Sequence, residues 1–300
     1  MSKKDDFTTV VTQTGLSHGK LRVERAGVRK QWEKAAPGWA KWEATLSGWF
    51  APATEAMLDM AGIVPAAQVL DLACGAGSQT LRAARRVGPQ GRVVASDISH
   101  TMLQYVRENA QAARLENVST LPGAAEELKV LAESFDAAIC SLGLMLFVEP
   151  DKALRTVRRA LKPGGRLAVV VFTLPAANVF MAKPMQVLLR HAGKKPPAPG
   201  QPGIFALGAP GKLESLFTEE GFVDFEQRIL TIPLRMPSVR ETLEMMQEAF
   251  GAYRAVVSDC PEAVRIAAWA EVAETLQSFE TDQGFVAPAE VLVAAGVKPA

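Results

Sequence analysis

The sequence has few cysteines, few histidines and no long apolar run, and each shortage excludes a class of protein. Its three cysteines, Cys74, Cys140 and Cys260, are scattered along the chain, which excludes a disulfide framework. No pair of cysteines or histidines has the spacing of a metal site, so we expect no bound metal. No stretch approaches 18 uninterrupted apolar residues, so we expect no membrane span.

An excess of charge of either sign is also missing. The formal net charge is +1, from 33 Lys and Arg against 32 Asp and Glu, whereas nucleic-acid-binding proteins carry a basic excess. Residues 1–6 are polar or charged and precede no apolar segment, so we expect no secretion signal. Together with the scattered cysteines, the lack of a secretion signal favours a cytoplasmic protein. We expect its partner to be a small molecule rather than a nucleic acid, and its state to be a monomer or a homodimer.

The composition is that of a globular protein. Hydrophobic residues make up 48% and charged residues 22% of the 300 residues. This length suits one large α/β domain or one domain with a subdomain. Strand patterns alternate with helical patterns through most of the chain, which indicates a parallel sheet with right-handed crossovers.

A glycine-rich loop at residues 69–77 (Val-Leu-Asp-Leu-Ala-Cys-Gly-Ala-Gly) is the most informative stretch. A short apolar run precedes it and a helical pattern follows from Ser78, which predicts a buried strand, a tight turn and a helix. Gly75 and Gly77 lack Cβ atoms, so a ligand can approach the backbone closely. Asp71 suits a ligand with a cationic head, such as the ammonium and sulfonium groups of S-adenosylmethionine.

Other interpretations of this loop fit less well. A phosphate-binding Walker loop requires Gly-Lys-Ser/Thr, which is absent, and a dinucleotide fingerprint requires a third glycine where Thr80 stands. A structural turn without any ligand is the remaining alternative.

A second strand pattern ends in an acid at Asp97, 20 residues after Gly77. An acid at this place can accept hydrogen bonds from both hydroxyls of an adenosine ribose, although it could also serve as a helix N-cap. Ile98 and Met102 follow as apolar groups able to enclose a flat base. The combination favours a nucleoside ligand over a structural turn.

Four segments together resemble the class I S-adenosylmethionine-dependent methyltransferases, and among them the UbiE-like group, named for ubiquinone and menaquinone biosynthesis. The resemblance covers about residues 30–175. The segments are 69–77, 96–99 (Ser-Asp-Ile-Ser), 134–139 (Ser-Phe-Asp-Ala-Ala-Ile) and 161–167 (Leu-Lys-Pro-Gly-Gly-Arg-Leu).

The resemblance implies an α/β fold with a doubly wound, mostly parallel, seven-stranded Rossmann-like sheet preceded by N-terminal helices. We expect a polar arm at residues 1–25, either disordered or ordered over the ligand, and a break between two helices at Pro37-Gly38. The methyltransferase core then comprises residues 26–237 and 280–300. A pair of helices at residues 238–279, which departs from the minimal family pattern, is interpreted as a lid. The last strand is expected at residues 284–293, antiparallel to the fifth.

The cofactor is expected at the carboxyl ends of the strands. In the family, an Asp after the third strand contacts the adenine amino group, but Ala124 stands at that place here. Backbone atoms of Ala124 and Ala125, or the side chain of Glu126, are expected to replace it, unless Glu126 is an ordinary helix-start acid. The predicted cofactor-binding residues are Asp71, Ala73, Gly75, Gly77, Asp97, Ile98, Met102, Ala124, Ala125, Glu126 and Ser141.

Apolar side chains dominate the places where an acceptor is expected. Four of the five tryptophans lie at positions 32, 39, 42 and 49, in helices that cover the methionine end of the cofactor in the family. The segment after the fourth strand is apolar, and the lid carries a methionine-rich helical face. Plain core packing is the alternative for these residues. The predicted substrate-contacting residues are Trp32, Trp39, Trp42, Leu142, Met145, His191 and Met246.

The predicted reaction is the transfer of a methyl group from S-adenosylmethionine to a small, largely apolar acceptor, which leaves S-adenosylhomocysteine. Such an in-line displacement depends mainly on positioning and desolvation. A general base is needed only when the acceptor is protonated at neutral pH, and we name no catalytic residue. The accepting atom, O, C, N or S, stays open. The alternatives are an NAD(P)-linked oxidoreductase and a non-catalytic S-adenosylmethionine-binding or interaction protein.

Overall fold

A seven-stranded sheet runs through the centre of the computed structural model, which describes residues 18–198 and 201–300. The strands of the protein are β1 (Gln68–Leu72), β2 (Arg92–Asp97), β3 (Val118–Pro122), β4 (Phe135–Ser141), β5 (Leu161–Phe172), β6 (Val223–Thr231), β7 (Leu234–Met236), β8 (Glu280–Thr281), β9 (Gly284–Ala287) and β10 (Glu290–Val297). Their order in the large sheet is β3-β2-β1-β4-β5-β10-β6. The strands β1 to β5 are parallel, and β10 runs antiparallel to β5 and β6, which confirms the predicted sheet.

Strand β1 lies in the parallel part of the sheet because its apolar residues suit burial on both faces. Val69 and Leu70 have no exposed surface. Val69 pairs in register with Val93 of β2 on one side and with Ala137 of β4 on the other. The carboxyl ends of the parallel strands therefore meet at one edge, where sheets of this kind bind their ligands.

Helices pack against this sheet and against one another. They are α1 (His18–Lys41), α2 (Glu43–Met60), α3 (Ser78–Val87), α4 (His100–Ala112), α5 (Pro150–Ala160), α6 (Val179–His191), α7 (Lys212–Glu219), α8 (Val239–Ala249), α9 (Gly251–Val257) and α10 (Glu262–Leu276). Right-handed crossovers place α3 and α4 on one face of the sheet and α5 on the other. Helix α2 packs beside α3 and against β4, β5 and β10. None of the described helices combines the length and the apolar character that crossing a bilayer requires.

Helix α1 differs from the expectation in two ways. It begins at His18, so residues 18–25 are helical rather than part of a polar arm, while residues 1–17 lie outside the described part of the chain. It also continues through Pro37 and Gly38 to Lys41, where we expected a break. The glycine has a packing reason, because a Cβ atom at Gly38 would lie 2.0 Å from the carbonyl oxygen of Glu248 in α8.

Residues 238–279 form the three helices α8, α9 and α10 followed by a short turn, rather than the expected pair of helices. Helix α8 packs on α1, and α10 packs on α6. Lys41 Nζ donates to Glu244 Oε1 at 2.7 Å and to Glu248 Oε1 at 2.9 Å. The insertion therefore holds the C-terminal part of α1 from its outer side.

The last strand is β10 at Glu290–Val297, so the expectation of a strand at residues 284–293 was wrong in its position. Residues Gly284–Ala287 form β9, the middle strand of a small antiparallel sheet of order β7-β9-β8. Pro288 separates the two strands, because a proline has no N–H to donate to a strand ladder. The expected antiparallel pairing with β5 is confirmed.

The contact between α1 and α8 predicts opposite effects for two glycine-to-alanine changes in one helix. Gly38→Ala forces the new Cβ against Glu248, and we expect a loss of about 1–3 kcal/mol of unfolding free energy, as in overpacked cores. In the matched control Gly27→Ala, the new Cβ meets nothing within 4 Å. The control should gain up to about 1 kcal/mol from helix propensity. Urea and thermal unfolding measure both changes, and equal stability of the two variants would contradict direct packing of α8 on α1.

Candidate functional site

A cavity opens at the carboxyl edge of the sheet, between the strand tips and helices α1 and α2. Including its open mouth it measures about 1160 Å³, which is comparable with the size of small-molecule sites. Each helix contributes one stripe of side chains, because residues three, four or seven positions apart share a face. The stripes are Arg25, Val28, Trp32 and Trp39 from α1, and Glu43, Leu46, Phe50 and Thr54 from α2.

The loop after β1 borders this cavity with Ala73 and Gly75. Gly77 precedes α3 with a φ of +97°, a conformation that favours glycine. A Cβ atom at Gly77 would also lie 3.1 Å from Val106 Cγ2, so the residue permits the close approach of α4. Gly77 thus shapes the loop but is not part of the cavity lining, which corrects its prediction as a contact residue.

Asp71 is completely buried beneath the loop and does not line the cavity, so the prediction that it faces a cationic ligand is not met. Its carboxyl group accepts hydrogen bonds from Thr80 Oγ1 and, at 3.3 Å, from Gln79 Nε2. Thr80, which replaces the third glycine of a dinucleotide fingerprint, therefore has a structural role. Burial raises the pKa of Asp71 to about 7.

Asp97 lines the cavity at the end of β2, as predicted. Its Oδ2 accepts a hydrogen bond from the Gly75 N–H at 3.0 Å, and its Oδ1 accepts one from the Ser99 N–H at 2.8 Å. Burial raises the pKa of Asp97 to about 6, although these two bonds favour the charged form. Each carboxylate oxygen keeps a lone pair for a ligand hydroxyl. The alternative role as a helix N-cap belongs to Ser99, whose Oγ accepts from the Met102 N–H.

The tip of β3 adds Ala124, Ala125 and Glu126 to the cavity lining, beside Ile98 and Met102 from the β2 side. Glu126 is 5% exposed, and its Oε1 accepts a hydrogen bond from the Glu149 N–H at 3.4 Å. These five residues, which the sequence predicted to surround the adenine, therefore line one cavity.

Arg25 of α1 reaches a cluster of carboxylates next to this group. Its guanidinium pairs with Glu127 and Glu149, and its Nε lies 4.0 Å from Glu126 Oε1. Lys152 Nζ lies 3.8 Å from Glu149 Oε2, the same oxygen that Arg25 contacts. Because Arg25 and Glu149 are both more than nine-tenths buried, loss of either partner would leave an uncompensated buried charge. The cluster therefore fastens the N-terminal part of α1 over the cavity.

Two buried N–H groups on residues that line the cavity, Arg25 Nε and Trp39 Nε1, have no hydrogen-bond partner among the described residues. A buried donor without a partner costs about 1–3 kcal/mol, which an acceptor atom of a ligand would offset. The carboxylates of Glu43, Asp97 and Glu126 lie along the same cavity. This set of groups fits a ligand that carries hydroxyl, amino and cationic groups, as S-adenosylmethionine does.

The tip of β4 forms an apolar part of the cavity. The predicted residues Ser141 and Leu142 line it, and Leu146 and Phe147 extend it. Leu142 has a φ of +60°, and Ala73, which follows the neighbouring strand β1, has a φ of +49°. Left-handed backbone at residues other than glycine is strained and typical of functional sites.

Met145, which the sequence predicted to contact the acceptor, does not line this cavity. It is 3% exposed and borders a separate groove with Leu144, Pro202 and Leu207. Residues 144–146 form a single 3₁₀ turn, in which successive side chains differ by about 120° in direction. Leu146 therefore points to the cavity while Met145 points away from it.

The tryptophans divide between the cavity and the packing around it. Trp32 and Trp39 line the cavity as predicted, with ring centroids 6.1 Å apart. Trp42 does not line the cavity, because its Nε1 donates to Glu248 Oε2 at 2.6 Å and turns the ring toward α8. Trp49 lies in the core, where its Nε1 donates to the Ile232 carbonyl at 2.7 Å.

His191 and Met246, also predicted to contact the acceptor, lie elsewhere. His191 Nε2 is 2.7 Å from Glu271 Oε2 of α10, at the end of α6. Met246 is fully buried in the core. No residue of the insertion at 238–279 is among the described residues that line the cavity. The described part of the insertion packs on α1 and does not line this cavity.

Several residues that α1 and α2 contribute to the cavity were not predicted from the sequence. Arg25 lies in the segment that was predicted to be a polar arm. Glu43, Leu46 and Phe50 lie in a helical segment for which only tryptophans were predicted as contact residues. The spacing of Glu43, Leu46, Phe50 and Thr54 was a usable signal, because it places them on one face of α2.

Comparisons with known proteins agree with this geometry. A family model described as a methyltransferase domain matches residues 63–191. The ubiquinone/menaquinone biosynthesis C-methyltransferase UbiE of Hahella chejuensis is 33% identical over 195 residues, which cover 65% of this chain and 70% of that protein. The enzyme of the same name from Pasteurella multocida is 41% identical over 119 residues, which cover 39% of this chain and 44% of that protein. The chain thus spans less than half the length of the Pasteurella relative.

A solved structure shows the same fold at lower sequence identity. It is phosphoethanolamine N-methyltransferase 2 of Haemonchus contortus, in complex with phosphomonomethylethanolamine and S-adenosylhomocysteine. The superposition has a TM-score of 0.54 at 19% identity and covers 83% of this chain and 53% of that one. All three of these proteins are named as methyltransferases, and none as an oxidoreductase.

The buried carboxyl of Asp71 predicts a specific dependence of stability on pH. Its pKa is about 7 in the folded protein against 3.8 for an ordinary aspartic acid, so the folded state binds more protons between these values. Stability should therefore fall as pH rises from 4 to 7, and Asp71→Asn should remove this loss. A rise of about three in pKa corresponds to roughly 4 kcal/mol. Urea unfolding of both proteins at pH 4 to 8 measures the difference.

The control for this experiment is Asp136→Asn, at the opposite end of the sheet. Burial acts to raise the pKa of Asp136, but hydrogen bonds from Lys162 and from the Gln68 N–H outweigh it and lower that pKa. Its contribution to stability is present above the usual pKa and lost in acid. Because that change lies below the usual pKa of 3.8, the stability of Asp136→Asn relative to wild type should change little between pH 4 and 8. A parallel response of the two variants would refute the interpretation.

Proposed function

Because the chain belongs to the UbiE-like class I S-adenosylmethionine-dependent methyltransferases, we propose that it transfers a methyl group from S-adenosylmethionine to a small, largely apolar acceptor. The main support for this proposal is the lining of the cavity. A single cavity joins Asp97, held by two backbone N–H groups at the end of β2, to the apolar side chains Leu142, Leu146 and Phe147 after β4. One end thus suits an adenosyl group and the other an apolar acceptor.

The adenosine part is proposed to lie across the tips of β2 and β3. Asp97 accepts hydrogen bonds from the two ribose hydroxyls, which form charge-assisted bonds with its carboxylate. Ile98 and Met102 enclose the adenine, and the backbone of Ala124 and Ala125 lies along its edge. Glu126 is the side chain that accepts from the adenine amino group, in place of the aspartate found in the family. The Haemonchus enzyme, with the same fold, holds S-adenosylhomocysteine.

When bound, S-adenosylmethionine supplies an electrophilic methyl group on a sulfonium. The residues of this chain position the acceptor and exclude water, which together can lower a barrier by about 7–11 kcal/mol in favourable cases. Trp32 and Trp39 present indole rings to the cavity, and such rings attract cations. The left-handed residues Ala73 and Leu142 hold the β1 and β4 tips in fixed positions on either side of the reacting atoms.

The acceptor end of the cavity is proposed to take an apolar molecule with little demand for a base. Leu46, Phe50, Leu142, Leu146 and Phe147 face it. Among the described lining residues there is no histidine, lysine or tyrosine. A proton released by the acceptor would pass to a carboxylate or to water, so we expect a nucleophile that is anionic or has a free lone pair at neutral pH. The names of the UbiE relatives suggest a quinol-like acceptor, whose hydroxyl groups are protonated at neutral pH. Such an acceptor would meet this description once a carboxylate of the cavity or water has taken its hydroxyl proton.

Asp97→Ala tests the cofactor assignment. Removal of the carboxylate should weaken binding of S-adenosylmethionine and S-adenosylhomocysteine by roughly 1–3 kcal/mol, through loss of its bonds to the ribose. Calorimetric titration of the folded variant and the wild-type protein measures this change, with Asp136→Ala as a control far from the cavity. An unchanged affinity in folded Asp97→Ala protein would contradict the contact between Asp97 and the ribose. Binding of NADH in place of the adenosyl ligands would overturn the proposed function.

Leu146→Asp tests the acceptor end separately. A charge introduced among apolar side chains should reduce methyl transfer to an apolar acceptor by more than tenfold, because the new carboxylate must be desolvated on binding. The affinity for S-adenosylhomocysteine should stay within about twofold of wild type, since Leu146 lies at the β4 side of the cavity. A screen of quinols with labelled methyl groups supplies the activity. Full activity of Leu146→Asp would place the acceptor elsewhere.

A further inference from the structure

The acid that the sequence predicted as the partner of the cationic end of S-adenosylmethionine does not reach the cavity. Asp71, the acid of the glycine-rich loop, is bonded to Thr80 and Gln79 and does not reach the cavity. Among the described residues, the carboxylates that line the cavity are Asp97, Glu126 and Glu43. The first two are already placed at the ribose and the adenine, so Glu43 is the remaining acid.

Glu43 lies at the correct end of the cavity for the amino-acid part. The tips of β3, β2, β1 and β4 follow one another in the sheet. With adenine at β3 and ribose at β2, the methionine part falls at the loop after β1 and the start of α3. Glu43 borders the cavity together with Ser78 and Gln79, and it borders an adjoining groove together with Gly77 and Ser78.

The side chain of Glu43 is available for a ligand. It is half-buried at the first turn of α2, and it forms no hydrogen bond or ion pair with any described residue. Glu55, three turns further along the same helix, differs in this respect, because it pairs with Arg82 and Arg86 at 2.8 Å each. An unpaired carboxylate on a cavity wall attracts a cation.

From this placement we infer that Glu43 binds the α-ammonium group of S-adenosylmethionine, in the role that Asp71 cannot fill. The inference rests on the proposed function. Helix α3 begins at Ser78 without a side-chain cap, so its first N–H groups suit the α-carboxylate of the same amino acid. A carboxylate and a helix N-terminus on two sides then match both charges of the amino-acid end.

The test compares two probes that differ only in the amino-acid part. S-adenosylhomocysteine carries the ammonium group, whereas 5′-methylthioadenosine keeps the adenosine and the sulfur but lacks it. We expect Glu43→Gln to weaken S-adenosylhomocysteine about tenfold in calorimetric titration, as for a lost charge-assisted bond, and to leave 5′-methylthioadenosine within twofold. The matched control Glu55→Gln removes one carboxylate from the same helix and should change neither affinity.

Each other outcome overturns the inference in a distinct way. Unchanged S-adenosylhomocysteine binding by Glu43→Gln, with or without a loss of methyl transfer, shows that Glu43 does not hold the ammonium group. Equal weakening of both probes shows a general effect on α2, and thermal unfolding of the variant identifies it. If the wild-type protein binds neither probe, the proposed function itself fails and the inference falls with it.

Discussion

The buried carboxyl group of Asp71 ties together the parts of the molecule on which the cavity depends. It accepts from Thr80 and Gln79 at the start of α3, while the Asp71 carbonyl accepts from Ser96 Oγ at 3.2 Å. These bonds set the course of the loop between β1 and α3, and that loop presents the Gly75 N–H to Asp97. A buried acid with a raised pKa reduces stability at neutral pH, which is typical of residues kept for the shape of a site.

Local signals in the sequence were sufficient for the sheet and for most residues at the strand tips. Asp97 and Ala124 follow directly after strands, so the topology alone brings them to one edge. The direction of Asp71 could not be predicted in the same way. The Asp71 carboxyl accepts from Thr80 and Gln79 of α3, and the sequence gives no sign that these side chains turn back toward β1. The last strand was misplaced for a different reason, since two apolar runs on either side of Pro288 looked like one strand.

Helical residues were harder to assign because spacing defines a face but not its neighbour. Trp39 and Trp42 lie three residues apart, yet one lines the cavity and the other bonds to Glu248 of α8. The helix that packs on α1 belongs to an insertion about 200 residues later in the chain, and no sequence pattern near α1 predicts this contact. The neighbour of the methionine-rich face of α8 could not be predicted for the same reason. Met246 on this face is part of the core that the insertion forms with the rest of the protein.

The packing of Gly38 against Glu248 has a consequence for the order in which the protein is completed during synthesis. Helix α1 leaves the ribosome early, but Lys41 finds its partner Glu248 only 207 residues later. Strand β10, which lies between β5 and β6, is made later still. The wall that α1 contributes to the cavity therefore gains its outer support only after α8 has been made, so a growing chain acquires its complete binding site long after helix α1 itself.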